Sequence, residues 1–211
     1  TERLTDWIKQ ININIKAIKT SLPSILSDKK KSLDDMRELC VRLDKGKEQI
    51  QKYVELADKM NDSPLESNVA TQKKEIVSKF QGTNNSAIEV LERVQTMHDY
   101  HHEFQTQVET ARKWMDRAWE KIRQNSNSVG KSKDDLHRQL GAIQQEIDNQ
   151  NQGLGYVQAA MDNAEKAMKN TRSDGKDAIQ QSVKELNADW EKLTRKMATA
   201  KVGVETDLLQ W

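Results

Sequence analysis

The sequence contains very few residues that break helices or form cross-links. It has one cysteine, two prolines and eight glycines among its 211 residues. Because Cys40 is the single cysteine, an internal disulfide framework and a cysteine-rich zinc module are both excluded. No run approaches the roughly 18–20 uncharged apolar residues that a transmembrane helix needs, so we do not expect this segment to insert into a membrane. Such a composition favours helices.

An excess of one charge sign is also missing. The 34 Lys and Arg residues nearly balance the 33 Asp and Glu residues, which leaves a formal net charge of +1. Because nucleic-acid-binding surfaces normally carry a basic excess, no nucleic-acid partner is expected. Charged residues make up 32% of the chain and hydrophobic residues 35%. This ratio favours thin, elongated bundles over one thick globule.

The apolar residues recur at alternating steps of three and four, which places them on one stripe of a helix. The third stripe continues from Ile76 to Ile122 without a proline, and this predicts one long helix through the middle of the chain. Gly82 weakens this long helix, and both a regular and an irregular path there are left open, while the pair Gly153 and Gly155 marks a soft point in the following helix. The predicted helices cover approximately residues 2–22, 28–60, 64–104 continuing into 105–125, 132–170 and 174–211.

Polar and proline-containing segments separate these helices. Pro23 removes a backbone donor and ends the first helix. Ser63 followed by Pro64 and Glu66 is typical of a helix start, and Ser132 is the expected N-cap of the next helix.

An internal repeat organises the predicted helices. Trp7 and Trp114 lie 107 positions apart, and each is followed by a residue of an apolar stripe. Each tryptophan is followed by the same order of helix, polar break, long helix, turn and long helix. The pattern predicts two three-helix units, with the last helix of the first unit continuing as the first helix of the second. The alternative is five shorter helices packed as a single globule.

These features together resemble the spectrin-repeat family over essentially the whole chain. Trp7 and Trp114 match the tryptophan that is typical of the family's first helix, and the period is close to the family's spacing of roughly 106 residues. The segment around Trp190 resembles the family's third-helix tryptophan segment, whereas the corresponding part of the first repeat holds Phe80. Phe104 lies where the family often carries an aromatic residue at the junction of two repeats.

The resemblance implies an all-α fold of two tandem antiparallel three-helix coiled-coil bundles, joined by a continuous helix into an elongated rod. The implied repeats cover residues 1–104 and 105–211. Residues expected in the structural core are Trp7, Trp114, Trp190, Phe80 and Phe104. Residues expected in the linker between the repeats are Met97, His101, Phe104, Val108, Ala111 and Met115.

The same resemblance implies a structural role without catalysis. The expected function is a force-bearing spacer in a large cytoskeletal crosslinking protein of a nesprin-like kind, with plakin-like and dystrophin-like rods as alternatives. Its partners would be cytoskeletal or membrane-associated proteins reached through the longer protein, in the cytoplasm and at the outer nuclear membrane. As a fragment, which its first residue Thr1 suggests, the chain is expected to be monomeric. A docking or homodimerisation module is the second hypothesis.

Few residues are candidates for chemistry, and we expect neither a cofactor nor a metal site. His98, His101 and His102 have spacings that two zinc ligands could share, but no cysteine or carboxylate pattern supports a site. Cys40 lies on an apolar stripe and is expected to be a small buried residue. The three lysines at positions 29–31 are expected to form a solvated helix end.

Overall fold

The computed structural model describes residues 2–60 and 66–211, and this part of the chain is helical without any strand. The all-α class expected from the sequence is therefore confirmed. Six helices are described: α1 (Glu2–Thr20), α2 (Leu26–Lys59), α3 (Glu66–Gln124), α4 (Lys133–Asp148), α5 (Gln150–Met168) and α6 (Ser173–Leu209).

The third helix is the longest element. It continues for 59 residues from Glu66 to Gln124 and passes through Gly82 without an interruption. The uninterrupted apolar stripe predicted this continuity, because a single glycine costs a helix only about 1 kcal/mol. The helix start expected at Ser63 and Pro64 lies outside the described residues.

The helix predicted over residues 132–170 is divided into α4 and α5. The division falls at Asn149, whose backbone torsions are φ −89° and ψ 1° and whose N–H donates to the carbonyls of Gln145 and Ile147. The helix is therefore interrupted four residues before Gly153, where the sequence had indicated the soft point. At the start of α4 the prediction is confirmed, since the Ser132 hydroxyl accepts a hydrogen bond from the Asp135 N–H at 3.1 Å.

The chain divides into two compact units, the first ending at Asp99 and the second beginning at Tyr100. The N-terminal unit contains α1, α2 and the first part of α3. Thr83 of α3 donates to Asn12 of α1 at 2.9 Å, and Arg37 of α2 donates to Gln95 of α3 at 2.7 Å. Its buried core comprises Ile8, Ile11, Ile15, Leu33, Met36, Leu39, Leu43, Ile50, Ile76, Phe80, Ala87, Val90 and Val94.

The C-terminal unit contains the rest of α3 together with α4, α5 and α6. Arg112 of α3 donates to Asp189 of α6 at 3.1 Å, and Asn163 of α5 donates to Gln107 of α3 at 2.6 Å. Its main core comprises Ala111, Trp114, Met115, Ala118, Ile122, Leu136, Ile143, Val157, Ala160, Leu186, Trp190, Leu193, Met197, Ala200 and Val204.

The division between the units falls five residues before the boundary expected after residue 104. Phe104 explains the difference, because its side chain packs with Ala164, Ala167 and Ile179 in a small second core of the C-terminal unit. Burial of its ring, which is 2% exposed, therefore contributes to the second unit.

Candidate functional site

A tryptophan in the C-terminal unit lies directly against the backbone of a glycine. Gly153 of α5 is buried, and a Cβ atom built on it would lie no more than 2.7 Å from three ring atoms of Trp114. Any residue larger than glycine would have to displace the indole ring. Glycine is therefore the residue that lets α5 approach α3 this closely.

The N-terminal unit repeats this arrangement at Gly46 of α2. A Cβ atom built on Gly46 would lie no more than 3.0 Å from three ring atoms of Trp7. Gly46 and Gly153 are 107 positions apart, the same separation as Trp7 and Trp114. We call these two contacts, Trp7 with Gly46 and Trp114 with Gly153, the tryptophan–glycine sites.

Sequence reasoning identified neither glycine as a packing position. In α2 the buried residue is Gly46, and the neighbouring Lys47 is exposed. In α5 Gly153 is buried, and the neighbouring Leu154 is only half-buried. A search for apolar side chains at helical spacing does not register glycine, because glycine has no side chain. The signal that could have found the pair is the shared spacing of 107 residues.

A second aromatic ring completes each site. The rings of Trp7 and Phe80 have centroids 6.4 Å apart and an interplanar angle of 20°. Those of Trp114 and Trp190 are 5.7 Å apart at 47°. Both separations fall in the range where aromatic pairs attract. Phe80, Trp114 and Trp190 are buried, whereas Trp7 is half-buried against its core.

Polar groups surround the tryptophan–glycine site of the C-terminal unit. The indole N–H of Trp114 donates to Gln152 at 3.3 Å, and the Arg117 guanidinium lies 5.5 Å from the centroid of the Trp114 ring. Arg117 also donates two hydrogen bonds to the Glu146 carboxylate, at 3.0 and 3.2 Å. The Glu146 side chain is only 3% exposed, so this bidentate pair places a carboxylate inside the unit beside the tryptophan.

Lys29 corrects the expectation that residues 29–31 form a solvated helix end. Lys30 and Lys31 are exposed, but Lys29 is 1% exposed. Lys29 lies four residues before Leu33, so it occupies the first inward position of the α2 stripe. It lines a cavity of about 10 Å³, together with Lys19 and Arg93. Burial lowers the pKa of the Lys29 amine to about 8.

The residues expected in the linker all lie on α3, and most are buried. Met97, His101, Phe104, Ala111 and Met115 are buried, and Val108 is partly buried against the cores of the C-terminal unit. Their role as a linker stays a prediction. Trp211, in contrast, is 68% exposed.

The remaining chemical candidates are dispersed. Cys40 is half-buried, and burial together with the nearby charge of Asp44 raises the pKa of its thiol. His98 lies 3.0 Å from Asp99, and their hydrogen bond lowers the pKa of the Asp99 carboxyl. His102 is exposed. Within residues 2–60 and 66–211, no three His, Cys, Asp or Glu side chains are grouped to hold a metal ion.

Each unit also has an open groove between two helices. The groove lies between α2 and α3 in the N-terminal unit and between α5 and α6 in the C-terminal unit. In the N-terminal unit the groove measures about 510 Å³ and is lined by residues that include Ala57, Asp58 and Lys73. In the C-terminal unit it measures about 530 Å³ and is lined by residues that include Ala164 and Glu165. Ala57 and Asp58 precede Ala164 and Glu165 by 107 positions, so the grooves occupy equivalent places in the repeat.

The chain is similar to a piece of a much larger muscle protein. Over 210 residues it is 40% identical to "Muscle-specific protein 300 kDa" of Drosophila melanogaster. The match covers 100% of this chain but 2% of that relative, which is therefore about fifty times longer. No protein-family model matches the chain. None of the described helices is both long enough and apolar enough to cross a membrane.

This similarity fits a structural role within a large protein. The match extends over the whole chain, so it spans both units. The aromatic pairs and the Arg117–Glu146 ion pair are contacts that hold helices of one unit together.

Replacing Gly153 with alanine should destabilise the C-terminal unit. The added Cβ atom would collide with the Trp114 ring, and overpacking of this kind costs about 1–3 kcal/mol in the free energy of unfolding. Urea unfolding followed by circular dichroism measures the loss. Gly155→Ala is the matched control, because nothing lies within 4 Å of its Cβ position and alanine favours the helix by about 0.5–1 kcal/mol. Equal effects of the two substitutions would contradict the close approach.

Raising the pH above 8 should stabilise the N-terminal unit through Lys29. Its folded-state pKa is about 8 and its ordinary value is 10.5, so between these values the unfolded chain binds more protons than the folded chain. The free energy of unfolding should therefore rise with pH across this window, by up to about 3 kcal/mol, and stay constant for this group below pH 8.

The measurement is urea unfolding at intervals from pH 7 to pH 10.5. Lys29→Met, which has no titratable side chain, should lose this rise. Lys31→Met, at an exposed position two residues later, should keep it. Identical pH profiles for the natural chain and Lys29→Met would show that the buried amine does not control this dependence.

Proposed function

We propose that the chain is a force-bearing spacer made of two tandem spectrin-like repeats, within a large cytoskeletal crosslinking protein. In this proposal each unit is an antiparallel three-helix bundle, and the longer protein links actin to the nuclear envelope, as nesprin-like proteins do, or to another membrane. The observation that carries the proposal is the tryptophan–glycine site, which occurs twice at a spacing of 107 residues.

The contacts within the N-terminal unit support the bundle interpretation. In the N-terminal unit, Trp7 meets Gly46 while Ile18 and Lys29 line one cavity, so residue numbers fall along α2 as they rise along α1. α1 and the first part of α3 are aligned in the same direction, since Trp7 meets Phe80 and Asn12 meets Thr83. This up-down-up order is that of a three-helix bundle.

The continuity of α3 supports the mechanical part of the proposal. The helix contributes residues to the cores of both units, and no loop interrupts it at the division between Asp99 and Tyr100. The hydrogen bonds of an α-helix lie nearly parallel to its axis, so a continuous helix can pass tension from one unit to the next. A flexible loop would instead absorb the extension.

The similarity to the Drosophila protein supports a place in a giant protein. By its name that relative is a muscle-specific protein, and contracting tissue places load on long proteins. A segment that forms 2% of such a chain is expected to act as one of many repeated structural parts.

Pulling the chain by its ends with optical tweezers tests the spacer function. We expect two extension steps of roughly 300 Å each, because each unit has its own core and about 100 residues span that distance when stretched. Trp114→Ala should lower the force of one step only, since it removes the central ring of the C-terminal unit. Trp211→Ala, at an exposed position, is the control and should change neither force. A chain that extends without a step would refute the spacer function.

The equivalent grooves favour a second candidate function, a docking or homodimerisation module. Both are open and partly apolar, and Ala57 and Ala164 line them at the same place in the repeat. Sedimentation equilibrium at increasing concentration separates the two functions. A spacer should remain a monomer of 24.3 kDa, whereas a homodimerisation module should double its mass. A doubled mass that Glu165→Arg abolishes would favour the second function, because Glu165 is exposed in the groove.

A further inference from the structure

The Arg117–Glu146 ion pair of the C-terminal unit has an uncharged counterpart in the N-terminal unit. Arg117 corresponds to Gln10, and Glu146 corresponds to Leu39, each 107 positions earlier. Leu39 and Glu146 are both buried, so one place in the repeat holds leucine in the first unit and a carboxylate in the second. The tryptophan–glycine sites, in contrast, are shared by the two units.

Because both units have a tryptophan–glycine site, the packing of the indole ring does not distinguish a helix of one unit from its equivalent in the other. Trp7 of α1 would meet at Gly153 the same missing side chain that it meets at Gly46. Exchange of equivalent helices is a characteristic route of misfolding in repeat proteins. The helix most open to exchange is α1, because it belongs to one unit only, whereas its equivalent is continuous with the rest of α3.

The buried carboxylate separates the correct partner from the wrong one. In the C-terminal unit Arg117 donates two hydrogen bonds to Glu146, at 3.0 and 3.2 Å, and the Glu146 side chain is 3% exposed. If α1 of a second copy of the chain took the place of α3 beside α4, Gln10 would stand where Arg117 stands. Glu146 would then be a buried charge without its cation, which is strongly unfavourable. Such a mismatch excludes a partner whose shape would otherwise fit.

Stability alone accounts less well for the pair. Replacing a buried ion pair with well-packed apolar groups is often neutral or stabilising, because the cost of removing two charges from water offsets their attraction. The N-terminal unit has such an uncharged arrangement at the same place, with Gln10 and Leu39. A leucine does not select between Gln10 and a different uncharged neighbour, whereas a buried carboxylate selects for a cation.

We propose that the Arg117–Glu146 pair is a specificity determinant, which keeps α1 of a second copy of this chain from taking the place of α3 in the C-terminal unit. The biological meaning of the inference rests on the proposed spacer function, since a giant protein with many similar units needs each helix to pack with its own neighbours. The pair therefore acts on the choice of partner during folding.

Refolding of the full chain from urea at increasing protein concentration tests the proposal. The dimer fraction is measured by size-exclusion chromatography with light scattering. In the double variant Arg117→Gln/Glu146→Leu, the C-terminal unit acquires the residues of the N-terminal unit, so α1 fits both. We expect its dimer fraction to exceed that of the natural chain by about tenfold, because the unpaired carboxylate no longer opposes the exchange. Its midpoint of urea unfolding should not fall.

The reciprocal double variant Gln10→Arg/Leu39→Glu adds the ion pair to the N-terminal unit. It should also raise the dimer fraction, because the two units are again alike at this place. The matched control combines all four substitutions and so moves the pair from one unit to the other. Since the units then differ again, the dimer fraction should return to that of the natural chain.

The proposal is overturned if Arg117→Gln/Glu146→Leu refolds with the dimer fraction of the natural chain. A lower unfolding midpoint with an unchanged dimer fraction would likewise overturn it, because the pair would then be a stabilising contact only. A fourfold variant that keeps a raised dimer fraction would do the same. A natural chain that is dimeric before any unfolding would instead count against the spacer function, and the comparison among refolded variants would still decide the role of the pair.

Discussion

The contact between an indole ring and a helix backbone without a side chain determines how the helices of each unit pack. Because Gly46 and Gly153 have no Cβ, the rings of Trp7 and Trp114 can contact the backbones of α2 and α5. A ring in that position limits both the separation and the register of the two helices, and the second aromatic residue packs beside it. The apolar stripes on either side need only be hydrophobic and of suitable size.

The two units bury charged residues at different positions, although their tryptophan–glycine sites agree. Residues 107 positions apart occupy similar positions in their units. The groups around each position decide how costly a buried charge is there. Glu146 accepts two hydrogen bonds from Arg117, whereas Lys29 lines a small cavity whose other side chains are cationic, hydroxyl-bearing and apolar. Units of similar plan therefore hold their buried charges in different ways.

The long helices could be predicted from the sequence because the spacing of apolar residues and the pattern of charges are visible within one continuous segment of the chain. The stripe from Ile76 to Ile122 suffices to predict α3, and Ser132 suffices to predict the start of α4. The interruption at Asn149 and the burial of Gly46 and Gly153 depend on what neighbouring helices present, so no local pattern contains them. The inward position of Lys29, four residues before Leu33, is present in the stripe, but its charge indicates a position in solvent. The sequence singles out the aromatic residues through the stripes and the repeat, whereas their glycine partners required a three-dimensional contact.

The distribution of tryptophan has a consequence for optical experiments on this protein. Trp7 is in the N-terminal unit, and the other four are in the C-terminal unit. Intrinsic fluorescence therefore reports mainly on the second unit, and it includes a constant solvent-exposed background from Trp211. A melting curve recorded at one emission wavelength would register opening of the first unit only weakly, through a single indole. If the two units melt at different temperatures, such a curve would still show essentially one transition, that of the C-terminal unit.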